Sequence, residues 1–237
     1  MIQEPDQAEV VAWFDATYST KGCRYLRPLA AYPIYLQLLG TRPGDRLLDV
    51  ACGAGLLLEA ARRADVVATG VDLSRRGASL ARDFARGTSV AVANSESLPF
   101  ADRSFAFVTC IGSLERFLDR ERALAEMRRV ARDDARFCIM VRNSATLLWT
   151  VWSRFLGRRN VAGHQDALPL AAWTRLFEGN GFRVDAVHMD QWPRQQLRRL
   201  LKPFWRAVPQ CAEPVARPVL PLRFANEFIF LLSKARA

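Results

Sequence analysis

Short apolar runs alternate with amphipathic stretches along most of this chain, and that alternation is its main organising pattern. Leu47–Ala51, Asp65–Asp72, Ser89–Ala93, Phe105–Ile111 and Ala135–Val141 read as five strands. Between them, Gly55–Ala64, Ser74–Arg86 and Leu118–Val130 carry the spacing of helices with one buried face, and Ser74 suits an N-cap. Further on, Leu170–Asn180 predicts a helix followed by Gly181, Phe182–Met189 a sixth strand and Glu227–Ser233 a seventh. Ahead of the first strand, Gln7–Thr20 places Val10, Val11, Trp13, Phe14 and Tyr18 on an amphipathic helix. Pro28–Leu39 predicts a second helix that stops at Gly40. Strands that are apolar throughout and separated by helices imply a parallel sheet covered on both faces.

Composition adds limits to that picture. At 237 residues and 50% hydrophobic content the chain can bury one sizeable core, so one domain is expected over residues 1–237. Within it, residues 1–40 form N-terminal helices, 41–142 the strand-rich core, and 143–169 and 190–222 insertions that break the alternation. No run of about 20 apolar residues offers a membrane span, and the acidic start Met1–Asp6 lacks the apolar region of a secretory signal. Five scattered cysteines without metal-ligand spacing read as reduced thiols of a cytoplasmic protein, with no metal expected. The formal net charge of +10 raises nucleic acid and anionic membranes as partners. The arginines, however, are spread over helix-like stretches, which reads as solvated faces. The basic amphipathic piece Arg194–Arg206 can lie on a membrane surface, but a solvated face is preferred.

The chemistry concentrates in Leu47-Leu48-Asp49-Val50-Ala51-Cys52-Gly53-Ala54-Gly55, a strand running into a small-residue loop and a helix. Gly53 and Gly55 lack the Cβ that would keep a ligand from backbone N–H groups. Asp49 selects the ligand. A carboxylate beside a pyrophosphate is repelled, whereas a cationic group is attracted. The dinucleotide-dehydrogenase reading also lacks its third glycine, although Asp72 lies at a workable distance for a ribose.

These residues resemble the first motif of the class I S-adenosylmethionine-dependent methyltransferases, within the small-molecule branch (type 11-like domains) that includes the ubiquinone and menaquinone methyltransferases. The likeness is close over Arg46–Met140 and looser over Leu170–Lys234. It implies a Rossmann-like α/β sheet of seven strands in the order 3-2-1-4-5-7-6, strand seven antiparallel, with S-adenosyl-L-methionine as methyl donor and S-adenosyl-L-homocysteine as product. By the same likeness Asp49, Ala51, Cys52, Gly53 and Gly55 form the loop site, with Ala51 held at a backbone angle that a Cβ permits. Asp72 would accept from the ribose hydroxyls and Leu73 pack on adenine. Asn94, where relatives carry aspartate, keeps a carbonyl for the adenine amino group, with Ser95 beside it and Leu98-Pro99-Phe100 completing that pocket. Ala106 also replaces an aspartate of relatives, a loss expected to affect local capping. Ile111, Gly112 and Ser113 match the segment that lines the donor pocket.

The acceptor side is less legible. Methyl transfer is an in-line displacement, and a base is needed only for a protonated nucleophile. His164 is a candidate base or acceptor contact, against a loop histidine that fixes a cap; Glu115 faces either the acceptor or solvent; His188 reads as packing. Aromatic and leucine-rich insertions suit a small apolar or aromatic acceptor, and Trp149, Trp152, Trp192, Phe204 and Trp205 fit ordinary cap packing equally well. A donor-binding regulatory module without turnover and an RNA or tRNA methyltransferase are the alternatives.

Overall fold

In the computed structural model, described for residues 6–146, 166–190, 222 and 225–235, seven strands form one sheet in the order β3-β2-β1-β4-β5-β7-β6. β1 (Arg46–Val50) pairs in parallel with β2 (Val67–Asp72) on one side and β4 (Phe105–Ile111) on the other. β3 (Ser89–Val92) extends the sheet beyond β2, and β5 (Ala131–Arg142) follows β4, both in parallel. β7 (Glu227–Lys234) then inserts antiparallel between β5 and β6 (Phe182–Met189). The strand order and the antiparallel seventh strand are those implied by the sequence likeness.

The continuous apolar runs are explained by burial on both faces. Phe137, Ile139 and Val141 of β5 join one core cluster, while Cys138 and Met140 join the other. Phe228, Phe230 and Leu232 of β7 alternate in the same way with Ile229 and Leu231. On the first face lie α5 (Arg120–Val130), through Leu124 and Met127, and α6 (Leu170–Gly179), through Trp173 and Phe177. On the second lie α2 (Pro33–Leu39), α3 (Leu56–Arg63) and the small-residue side of α4 (Arg75–Phe84).

The chain leaves β1 toward β2 and β3, then returns to lay β4 on the other side of β1. The helices that follow β1 and β4 therefore pack on opposite faces of the sheet, which opens a crevice at the carboxyl ends of these two paired strands. α1 (Gln7–Lys21), started by a capping box between Asp6 and Glu9, contributes to this crevice from above.

Two expectations need correction. The helix predicted over Pro28–Leu39 is a 3₁₀ turn at Leu29–Ala31 followed by α2, because Pro33 takes the first helical position, where no N–H is needed. β5 begins four residues before the predicted Ala135, because the exposed Arg132-Asp133-Asp134 belong to a strand whose pairing shifts between Phe105 and Phe107. Gly40 caps α2 in the left-handed conformation, as its position suggested.

Candidate functional site

Asp49 lies one residue before the end of β1, opposite Thr109 of β4, and is 3% exposed. Thr109, itself fully buried, donates its hydroxyl to Asp49 Oδ1 at 2.7 Å. Burial pushes the Asp49 carboxyl up to about 7, with the nearby Asp72 adding to the rise and the threonine hydrogen bond opposing it. Among the described residues no lysine or arginine forms an ion pair with Asp49. A dry carboxylate with one hydroxyl partner favours an incoming cation.

The loop after β1 turns through three residues with positive φ. Ala51 sits at φ 58°, so it does not keep to angles a Cβ favours, contrary to expectation. A left-handed non-glycine residue costs about 1–2 kcal/mol, and the flanking bonds hold it there: Cys52 N–H donates to Val71 O at 2.9 Å and Gly55 N–H to Cys52 O at 3.0 Å. Gly53 is at φ 54°, and a Cβ on it would lie 2.6 Å from the Tyr18 hydroxyl. Gly55 plays a different part from the one predicted. It caps α3 at φ 78°, a Cβ there would lie 2.9 Å from Ala81, and it does not line the cavity. Its role is to let α3 and α4 pack closely.

Asp72 closes β2. Its Oδ2 accepts from Gly53 N–H at 2.7 Å and its Oδ1 from Ser74 N–H at 2.8 Å, which leaves lone pairs on each oxygen for a further donor. Burial raises this carboxyl to about 6 despite those two bonds. Ser74 caps α4 by accepting from Gly77 N–H at 2.9 Å, and its own hydroxyl donates to Asp15 of α1. Asp15 also accepts from Arg76 N–H at 3.1 Å, so α1 is fastened to the first turn of α4.

Two adjoining chambers occupy the crevice. The outer, of about 560 Å³, is lined by Asp72, Leu73, Asn94 and Ser95 on the sheet side and by Gln7, Val10, Phe14 and Tyr18 of α1. The inner, of about 460 Å³, is lined by Asp49, Cys52, Gly53, Ile111 and Gly112, with Tyr25 and Tyr32 opposite. Ala51, Ser113, Tyr18, Phe14 and Arg116 border both. Gly112 holds its turn at φ 69° by donating to Met140 O at 2.9 Å. Apart from Gly55 and the segment Leu98-Pro99-Phe100, every predicted donor-site residue is thus brought to one crevice.

The expected adenine pocket is altered. Asn94 Oδ1 accepts from Glu96 N–H at 3.0 Å, and its amide group donates to Gln7 of α1 at 3.3 Å. The carbonyl keeps one lone pair toward a ligand. Leu98 and Phe100 turn into the core, where Phe100 meets Phe105 edge-on at 5.1 Å, and they do not line the cavity.

Glu115 faces neither solvent nor the crevice. It is 1% exposed, its Oε2 has no hydrogen-bond partner, and burial raises its pKa against the opposing charges of Arg116 and Arg142. His164 lies outside the described residues, as do Trp149, Trp152, Trp192, Phe204, Trp205 and Arg194–Arg206. Sequence reasoning missed Thr109, Tyr18 and Arg116. Thr109 was detectable as the one hydroxyl in the apolar run Phe105–Ile111, and Tyr18 as the end of the stripe Val10, Phe14, Tyr18.

Residues 48–139 match the methyltransferase domain family. A ubiquinone/menaquinone biosynthesis C-methyltransferase of Geotalea uraniireducens is 37% identical over 106 residues, covering 41% of this chain and 45% of its own. A ubiquinone biosynthesis O-methyltransferase of Hahella chejuensis is 30% identical over 151 residues, covering 59% of this chain and 60% of its own. The chain therefore spans about half of the curated relatives it matches. The crystal structure of magnesium protoporphyrin IX methyltransferase from Synechocystis, solved with bound SAH, superposes with a TM-score of 0.69 at 16% identity, over 97% of this chain and all of the other. No helix among the described residues is long and apolar enough to cross a membrane.

Proposed function

Because residues 48–139 form a class I S-adenosylmethionine-dependent methyltransferase domain, we propose that the chain transfers a methyl group from S-adenosylmethionine to a small apolar or aromatic acceptor. The observation that carries this reading is Asp49, a buried carboxylate with no cationic partner among the described residues, on the wall of a chamber that Ala51, Cys52 and Gly53 of the loop also line.

When bound, the donor supplies an electrophilic methyl on a positively charged sulfur. The chain's part is to bind and align. Asp49 takes the ammonium of the amino-acid end, Asp72 accepts from the ribose hydroxyls, and Leu73, Asn94 and Ser95 border the adenine. Ala51, Cys52 and Gly53 shape the main chain beneath, and Ile111, Gly112 and Ser113 wall the inner chamber. Placing nucleophile, methyl and sulfur in line in a water-poor crevice accounts for most of the acceleration such a displacement needs. The acceptor class is supported by the aromatic and leucine-rich sequence of residues 143–169 and 190–222. Of the three segments read as an acceptor cover, the N-terminal 40 residues contribute α1 to the outer chamber, and residues 143–169 and 190–222 lie largely outside the described residues. Three fully or nearly buried free thiols, Cys52, Cys110 and Cys138, support a reducing, cytoplasmic setting.

Calorimetric titration with S-adenosylhomocysteine, followed by methyl transfer to a panel of quinols, phenols and isoprenoids, tests the reading. The expected result is donor-site binding that Asp49→Ala abolishes, with transfer to at least one panel member. Absent binding, or binding that Asp49→Ala leaves unchanged, overturns it. Binding without transfer to any acceptor, tRNA included, would assign a regulatory role instead.

A further inference from the structure

α1 covers the crevice without being built into the core along its whole length. Its C-terminal end is anchored there by Tyr18, which is buried and packs with the core cluster on the α3 face. Its N-terminal half is placed differently. Val10 is as buried as Tyr18, yet among the described residues it joins neither core cluster, and it lines the outer chamber with Gln7 and Phe14. The helix stops at Gly22, whose φ of 52° and ψ of −141° suit glycine, and a Cβ built on it would meet nothing within 4 Å. A glycine with room around it at the end of a helix can absorb the backbone rotation of a hinge.

Polar ties hold this helix down at two points. At its start, Gln7 Oε1 accepts from the Asn94 amide group at 3.3 Å. At its middle, Asp15 accepts from the Ser74 hydroxyl and from Arg76 N–H at 3.1 Å. A carboxylate acceptor makes the Asp15 tie the stronger of the two. Both ties end on the wall opposite α1. Asn94 lines the outer chamber, and Ser74 donates its own N–H to Asp72 Oδ1 at 2.8 Å. A ligand that fills the outer chamber therefore lies between α1 and the residues that fasten it. We propose that α1 is a hinged lid latched by Asp15, and that release of this latch sets how fast donor enters and product leaves. The inference rests on the donor reading and adds a gate to it. The product keeps the ribose and adenine of the donor, so the same enclosure has to open in every turnover.

Stopped-flow binding of S-adenosylhomocysteine, followed by tryptophan fluorescence, gives the entry and release rates of the wild type, Asp15→Ala and Asp15→Asn. A lid that is closed over both the empty and the filled crevice slows entry and release alike. Asp15→Ala is therefore expected to raise both rates by about tenfold, while the equilibrium affinity changes by less than about threefold. A residue that only stabilised the fold would not move the two rates together. Asp15→Asn keeps one oxygen acceptor and is expected to fall between the other two proteins; it decides the question if Asp15→Ala does not fold. Unchanged rates in a folded variant, or faster release without faster entry, overturn the inference and leave the donor reading intact. Failure of the wild type to bind overturns the donor reading itself.

Discussion

Thr109 donates a hydrogen bond from its hydroxyl to Asp49 Oδ1 across the β1–β4 boundary, at 2.7 Å, where the two residues stand opposite each other in the sheet. The crevice opens just beyond this pair, so the carboxylate is held at its root rather than at its rim. Thr109 is the side chain that stabilises the ionised form there, and the burial that surrounds it opposes ionisation. Thr109→Val keeps the shape and removes the donor. It should raise the Asp49 pKa further and weaken S-adenosylhomocysteine binding at pH 7 by about tenfold, since a hydrogen bond to a charged group is worth about 1.5–3 kcal/mol. Calorimetry at pH 7 and pH 9 checks this, because the deficit should shrink at the higher pH.

Stability and binding should depend on pH in opposite directions. Burial holds Asp49 at about 7 and Asp72 at about 6, against an unfolded value near 3.9. An acid with a raised folded pKa provides its full stability below the unfolded value and loses it as pH rises through the folded one. Each carboxyl therefore weakens folding by about 1.4 kcal/mol per pH unit inside its window, which is about 4–6 for Asp72 and about 4–7 for Asp49. The free protein's melting temperature should fall by about 8–16 °C between pH 5 and pH 7.5, at about 2–4 °C per kcal/mol for a chain of this size. Asp49→Asn should flatten that slope.

Gly53 and Gly55 should respond to alanine in different ways. At Gly53 a new Cβ meets the Tyr18 hydroxyl at 2.6 Å, so Gly53→Ala should impair donor binding more than folding. Tyr18→Phe removes the opposing oxygen and should restore part of the affinity. At Gly55 the obstacle is Ala81, its Cα included, at 2.9 Å, so Gly55→Ala should lower the melting temperature by separating α3 from α4. A loss of about 2 kcal/mol or more is expected for backbone strain and overpacking together.

Ala51→Gly should have the reverse effect on stability. Ala51 is left-handed at φ 58°, and glycine removes that strain. The gain, up to about 1 kcal/mol, is reduced by the greater freedom of glycine in the unfolded chain. Denaturant titration of the two proteins measures it.

The sheet was legible because each strand is a short apolar run that ends at a turn, and the order of strands followed from the family likeness. The charged start of β5 was not, since Arg132-Asp133-Asp134 sit where the pairing with β4 shifts and carry no apolar pattern. Asp49, Asp72 and Asn94 were readable from type and spacing along single segments. Their partners were harder to find, because Thr109 meets Asp49 only through strand register and Tyr18 reaches Gly53 from a helix 35 residues away in sequence. Ala51 misled because residue type alone does not reveal a φ imposed by its neighbours' hydrogen bonds. Glu115 read as a surface or acceptor-facing acid, and the turn after β4 instead directs it inward.

The central claim is that Asp49 receives a cation. Titration calorimetry of S-adenosylhomocysteine at pH 6.5, in two buffers of different ionisation enthalpy, tests it directly by counting protons. Below the raised pKa the carboxyl starts mostly protonated, so binding should release between half a proton and one proton per site by linkage, and Asp49→Asn should abolish the release. Binding of the wild type with no proton release at this pH would contradict the account.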